Sequence, residues 1–164
     1  MLALDRIDYE LLRLLRKNAR MPNKDLAERV GVAASTCLER VRRMREAGVI
    51  KGFHAELEPD AIGCNLQAMI SIRLVVHAKT QVTAFHDHLL QLPEVLGFFH
   101  VAGANDFLVH VGVADSAALR RLVLESFTTR PEVAHVETNL IFEFRRNTDL
   151  PTTPPHAIRL ADER

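Results

Sequence analysis

Along residues 4–17, LDRIDYELLRLLRK, the apolar residues Leu4, Ile7, Leu11 and Leu14 return at steps of three and four, which predicts an amphipathic helix. Asp5 is placed to cap its start, and Asp5 and Asp8 both lie at the positive end of the helix dipole. Pro22-Asn23 breaks the pattern, with Asn23 able to cap a short second helix, KDLAERV. Gly31 stands where a left-handed C-cap is needed, and only GVA separates this helix from a third over ASTCLERVRRMRE, residues 34–46. Two short helices joined by a three-residue turn led by glycine have the form of a helix-turn-helix. On a helical wheel of the third helix, Ala34, Cys37, Leu38, Val41, Met44 and Gly48 share one side. Ser35, Thr36, Glu39, Arg40, Arg42 and Arg43 share the other, with Arg45 at the boundary. Gly48 ends the helix, and VIKGFHAEL alternates as a short strand would.

A linker, EPDAIGCN at residues 58–65, separates this head from a body whose period changes. QAMISIRLVV places Ala68, Ile70, Ile72, Leu74 and Val76 on one strand face. TQVTAFHDHLLQL has helical spacing at Val82, Phe85, Leu89 and Leu92. PEVLGFFHVAG and DFLVHVGV read as strands around a turn after Gly103, and SAALRRLVLESF as a second helix capped by Asp115 or Ser116. EVAHVETNLIFEFR closes the series with Ala134, Val136, Thr138, Leu140, Phe142 and Phe144 on one face. The order β-α-β-β-α-β predicts a ferredoxin-like antiparallel sheet with both helices on one side, over residues 66–147. PEV, which recurs at 93–95 and 131–133, marks a faint internal repeat. The second sheet face, with Met69, Val75 and Ile141 beside Arg73, Glu137 and Glu143, has no cover within the chain, and a partner subunit's sheet is expected there. The fold class is therefore α+β: a helix-turn-helix over residues 1–57, a winged helix-turn-helix if its following strand folds beside it, then the linker, the ferredoxin-like domain, and a Pro-rich tail at 148–164 expected to be disordered.

Composition narrows the partners. The 164 residues are 48% hydrophobic and 26% charged, a globular balance. No apolar run approaches the roughly 20 residues of a membrane span. The N-terminus lacks the order of a signal peptide, and two cysteines, Cys37 and Cys64, form no disulfide framework. A cytoplasmic protein is expected. The net charge of zero hides an asymmetry: residues 1–51 carry twelve Lys/Arg against seven Asp/Glu, and the remainder nine against fourteen. A basic head on an acidic body suits a head that meets a polyanion. The third helix starts with small hydroxyls and continues with arginines, as in a recognition helix whose first residues meet base edges. A solvated face with Glu39 and Arg43 as an i,i+4 pair is the plain alternative, and the preceding helix and turn favour DNA. Ser35, Thr36, Glu39, Arg40 and Arg43 are expected to read the major groove of double-stranded promoter or operator DNA, with Arg42 and Lys51 on its backbone. Lys51 and Gly52 fit either a wing touching phosphate or a strand joining two domains.

LDRIDYELLRLLRKNAR, DLAERVGV, CLERVRRM and AGVIKGFHAELEPDAIG together resemble the leucine-responsive regulatory protein/AsnC family of transcription factors, and the likeness runs over about residues 4–150. CLERVRRM is closest to the leucine-responsive branch. One departure is Ala33, where the family usually has the serine that caps the recognition helix, a loss on the order of 1 kcal/mol. The resemblance implies a nucleoid-associated regulator, not an enzyme, without a cofactor. It also implies sheet-to-sheet dimers that assemble further, such as to an octamer, and an amino-acid effector bound between dimers. VAGANDF resembles the family's Gly-x-x-Asp turn, which makes Gly103, Ala104, Asn105 and Asp106 the expected effector site, with Thr138 from a neighbouring strand. Gly103 permits a backbone that exposes N–H groups to a carboxylate, and Asp106 would face an α-ammonium. By chemistry alone, a plain hairpin turn is the better account of these residues, and it is the resemblance that brings in the effector.

Eight histidines raise a metal reading. His86 and His88 are two apart on a helix and diverge; His100 and His110 lie on adjacent strands, where they could face each other but are better read as sheet-surface residues. Without a completing Cys or carboxylate no metal site is assigned. The rival from another class is a small ferredoxin-like enzyme or metal-binding protein built on that pair, with an incidental helical head. A third reading is a regulator that has lost its effector and acts as an architectural DNA binder.

Overall fold

The structure, a computed structural model, describes residues 2–76 and 78–145. The tail expected at 148–164 lies outside them. The chain divides into two compact units, one holding the segment up to Ala55 and the other Glu56–Phe144.

In the first unit, α1 (Arg6–Lys17) opens on a capping box: the Asp5 side chain accepts from the Asp8 N–H, and the Asp8 side chain accepts from the Asp5 N–H. Leu11, Leu14 and Leu15 form its buried stripe. The second helix, α2 (Asn23–Val30), ends on Gly31 at φ 72°, the left-handed conformation expected of it. Asn23 does not cap α2. Pro22 holds the N-cap position, and the Asn23 amide instead donates to the Ala34 carbonyl at 2.7 Å, tying α2 to the start of the next helix. That helix, α3 (Ala34–Glu46), has no side-chain cap at Ala33. Its buried residues are Cys37 and Met44, with Val41 partly buried against the same core.

Leu38, expected on the apolar side, is 60% exposed. Burial centres on the Cys37–Met44 line, which rolls the helix away from Leu38. The strand expected after Gly48 does not form either: residues 49–58 have no regular structure, and Phe53 and Leu57 are exposed. A strand needs a hydrogen-bonding neighbour, and among the described residues none lies alongside.

The second unit begins where the linker was expected. Pro59 starts a 3-10 turn, Asp60–Ile62, closed by Gly63 at φ 81°. Asn65 then donates to the Ala114 carbonyl at 3.4 Å, so this stretch is anchored to the sheet. The strands are β1 (Leu66–Leu74), β2 (Val95–His100), β3 (Phe107–Val113) and β4 (Val133–Ile141), all antiparallel in the order β2-β3-β1-β4. Ala68, Ile70, Ile72 and Leu74 of β1 are buried on one face, as their alternation predicts; Val76 lies beyond the strand and is half exposed. Against this face pack α4 (Lys79–Gln91), through Phe85 and Leu89, and α5 (Ser116–Leu122), through Leu119 and Leu122. Asp115 is the cap of α5, accepting from the Ala118 N–H at 2.8 Å.

After Leu122 the helix loosens into a π turn, Val123–Thr128, which carries Phe127 into the core. Burying Phe85, Phe107 and Phe127 fully contributes roughly 1.5–3 kcal/mol each. The face predicted for β4 holds only in its middle, where Val136, Thr138 and Leu140 stand opposite Ile72, Ile70 and Ala68. At one end the pairing slips between Arg73 and Leu74, leaving Ala134 as an extra residue. At the other end the strand stops at Ile141, so Phe142 is 98% exposed and Phe144 turns to the ring of His110 on the opposite face. That opposite face carries Met69, Ser71 and Arg73 of β1, and among the described residues of this unit no helix packs on it.

Candidate functional site

Two sites were expected. On α3, Ser35, Thr36, Glu39 and Arg42 are exposed, as is Lys51 beyond it. Glu39 and Arg42 form a two-pronged pair at 3.1 and 2.9 Å, with Glu46 3.8 Å from the same guanidinium. Hydrogen bonding to Arg42 lowers the Glu39 pKa, and the same bond raises that of Arg42.

Arg43 is exposed as well, with 45% of its side chain open to solvent, yet both it and the less exposed Arg40 are tied back to α1. The Arg40 Nη1 donates to Asp5 Oδ2 at 2.7 Å and to Asp8 Oδ1 at 2.8 Å, and the Arg43 Nη2 donates to Asp8 Oδ2 at 3.0 Å. The roll that exposes Leu38 swings both arginines toward α1. The Asp8 side chain is 0% exposed and that of Arg40 22%. Hydrogen bonds from Asp5 and Asp8 push the Arg40 pKa up, and the backbone N–H of Asp8, followed by Arg40, holds Asp5 below its usual range. Sequence reasoning saw Asp8 only as a charge at a helix start. Its position at the third residue of the helix, closing the capping box with Asp5, is the available signal, because a capping carboxylate is held close to the backbone. Arg45 is exposed and makes no ion pair among the described residues.

The turn at residues 101–106 closes with the Val101 N–H donating to the Asp106 carbonyl at 2.8 Å, and the Asp106 N–H donating to the Ile72 carbonyl at 2.8 Å. Gly103 has φ 144°, which an L side chain rarely adopts. Ala102, Gly103 and Ala104 are exposed, and among the described residues the N–H groups of residues 102–105 meet no acceptor. Asp106 does not present its carboxylate to solvent. It is 8% exposed, and Oδ2 accepts the Leu74 N–H at 2.7 Å, so its charge is used inside the sheet.

Thr138 is not brought to this turn within the chain. It sits on β4 opposite Ile70, with β1 between it and the turn's end of β3. Thr138 instead lines a shallow groove of about 300 Å³ with Ser116, Leu119, Arg120, Val123 and Leu124.

His100 and His110 do not face each other. His100 pairs with Phe107 and stacks on its ring at 4.9 Å, whereas His110, three residues further along β3, projects from the opposite face. There Nε2 of His110 lies 2.7 Å from Gln67 Oε1, and burial pulls its pKa down. Among the described residues no three His, Cys, Asp or Glu side chains are grouped to hold a metal.

Comparison with known proteins accounts for both units. Winged helix-turn-helix DNA-binding matches residues 4–51, and the Lrp/AsnC ligand binding domain matches residues 67–149. The chain is 44% identical to the HTH-type transcriptional regulator AldR of Mycolicibacterium smegmatis over 143 residues, 87% of this chain and 84% of that one. It is 34% identical to the leucine-responsive regulatory protein of Escherichia coli K12 over 140 residues, 85% of each. Among solved structures, a transcriptional regulator of Neisseria meningitidis in complex with L-Met superposes with a TM-score of 0.82 at 30% identity, covering 90% of this chain and 96% of that one. With a helix-turn-helix whose second helix bares its outer face, and a βαββαβ body of the matching fold, this chain belongs to the Lrp/AsnC family of DNA-binding transcriptional regulators.

Proposed function

We propose that this regulator reads promoter DNA with the outer face of α3 and responds to an amino acid held at the 101–106 turn. The observation that carries the first half is the exposed run Ser35, Thr36, Glu39 and Arg42, lifted clear of the core by the Gly31 turn. Hydroxyls and a Glu–Arg pair offer donors and acceptors to base edges, and Lys51 supplies charge for phosphate. Arg40, held through Nη1 by Asp5 and Asp8, and Arg43, held through Nη2 by Asp8, are assigned a supporting part.

For the second half, the unpartnered N–H groups of residues 102–105 suit a carboxylate. The Neisseria relative was solved with L-Met, which supports an amino acid as the ligand class. Asp106 shapes this turn from inside, and the ammonium needs another partner, for which a neighbouring subunit is the natural source.

Thermal-shift measurement against the twenty amino acids tests the effector, because a ligand that binds only the folded state must raise its stability. The expected result is a rise with one or a few of them that disappears when Gly103 is replaced by Val. No rise with any amino acid would remove the effector half. Alanine at Ser35 and Glu39 should weaken binding to a selected duplex, and wild-type affinity in both would remove the DNA face.

A further inference from the structure

Asp8 is a carboxylate taken wholly out of water, and such a group must be paired. Its partners are specific. Oδ2 accepts from the Asp5 N–H at 3.1 Å and from Arg43 at 3.0 Å, and Oδ1 accepts from Arg40 at 2.8 Å. One α1 side chain thereby grips two α3 arginines three residues apart, on the same flank of that helix. The apolar contacts of α3 specify its rotation only weakly, since they rest on a small thiol, a flexible Met44 and a half-buried Val41. The charged grip supplies what they lack.

We propose that Asp8, with Asp5, is a positioning residue for DNA recognition: it sets the roll of α3 about its axis by holding Arg40 and Arg43. This rests on the reading of α3 as the DNA-reading helix. Arg40 then acts through the protein and neutralises no phosphate. Arg45, exposed and without an ion pair among the described residues, is the α3 arginine left to do so.

The experiment uses the full chain, a duplex selected by the wild type from a random pool, and a duplex of scrambled sequence. Two quantities are read: the ratio of the two affinities, and the slope of log affinity against log salt. Asp8→Asn should cut the ratio on the order of tenfold, the scale of a contact-network coupling, with binding to the scrambled duplex kept or raised. Arg40→Gln should also lower the ratio yet leave the slope unchanged, whereas Arg45→Gln should flatten the slope by about 0.9.

Asp5→Asn guards against loss of the fold, because Asn caps a helix as well as Asp does while removing one carboxylate from Arg40. It should lower the ratio by a smaller factor in a folded protein. A lowered melting temperature with the wild-type ratio in Asp5→Asn and Asp8→Asn would reduce the grip to a fold contact and overturn the proposal. A slope flattened as much by Arg40→Gln as by Arg45→Gln would overturn it too. Wild-type affinity in Ser35→Ala and Glu39→Ala would instead fault the DNA-reading face on which it stands.

Discussion

Asp106 and Asp8 each turn a carboxylate inward where a sequence reading placed or allowed an outward charge. At Asp106 one partner is the Leu74 N–H, 2.7 Å away and buried. Asp106→Ala should therefore destabilise the body by about 1–3 kcal/mol, the cost of a buried donor left without an acceptor. Urea unfolding of the variant checks this, and an unchanged midpoint would show the bond to be dispensable. Asp5 gives a pH-dependent counterpart. Its folded pKa lies below the usual aspartate value of 3.8 because of the Asp8 N–H and Arg40. A depressed carboxylate contributes stability that is full above its unfolded pKa and is lost as pH falls through the folded one. Acid unfolding of the wild type should thus include a loss below about pH 3.8 that Asp5→Asn lacks. Half of the Asp5 side chain is exposed, so solvent screening keeps the effect small.

Among the elements, α3 was legible in extent but not in roll. Its ends follow from local signals, the Gly31 turn before it and Gly48 at φ 71° after it. Its start is under-capped, since Ala33 provides no side-chain bond to the first-turn N–H groups. Ala33→Ser should raise the stability of the head by about 1 kcal/mol, read from thermal unfolding followed by helical circular dichroism. No gain would mean that the exposed start is already satisfied by water. β4 shows the converse case. Its apolar spacing is regular through Phe144, yet the extra residue Ala134 and the stop at Ile141 break the face at both ends. Alternation records which side chains are apolar, and pairing decides which of them lie on one side.

For the whole molecule, the sheet poses the largest open demand. α4 and α5 cover one face; the other carries half-buried Met69, Leu108 and Ile141 with exposed Phe99. A second copy packed sheet to sheet would cover it, and sedimentation at micromolar concentration should find a dimer rather than a monomer. Phe99→Glu and Met69→Glu placed together should shift that equilibrium toward monomer, since two unpaired charges cannot be buried cheaply. A two-fold dimer would also set two α3 helices on half-sites about 34 Å apart, which a footprint would show as paired protection.

The sequence by itself determined the three head helices and the β-α-β-β-α-β order of the body, though not the missing strand after Gly48, because helix and strand periods, capping aspartates and left-handed glycines are local properties that a few neighbouring residues carry. It determined the buried row Ala68, Ile70, Ile72 and Leu74 for the same reason. Only the tertiary structure decided where charges went. Arg40 and Arg43 meet Asp8 across more than thirty residues of chain, and Asp106 meets Leu74 across a comparable span. His100 and His110 part to opposite faces because of a strand register that is set by pairing with β2. An ionised side chain shows in sequence only that it needs a partner. Which partner it finds depends on what folding brings within about 3 Å, and that is long-range geometry.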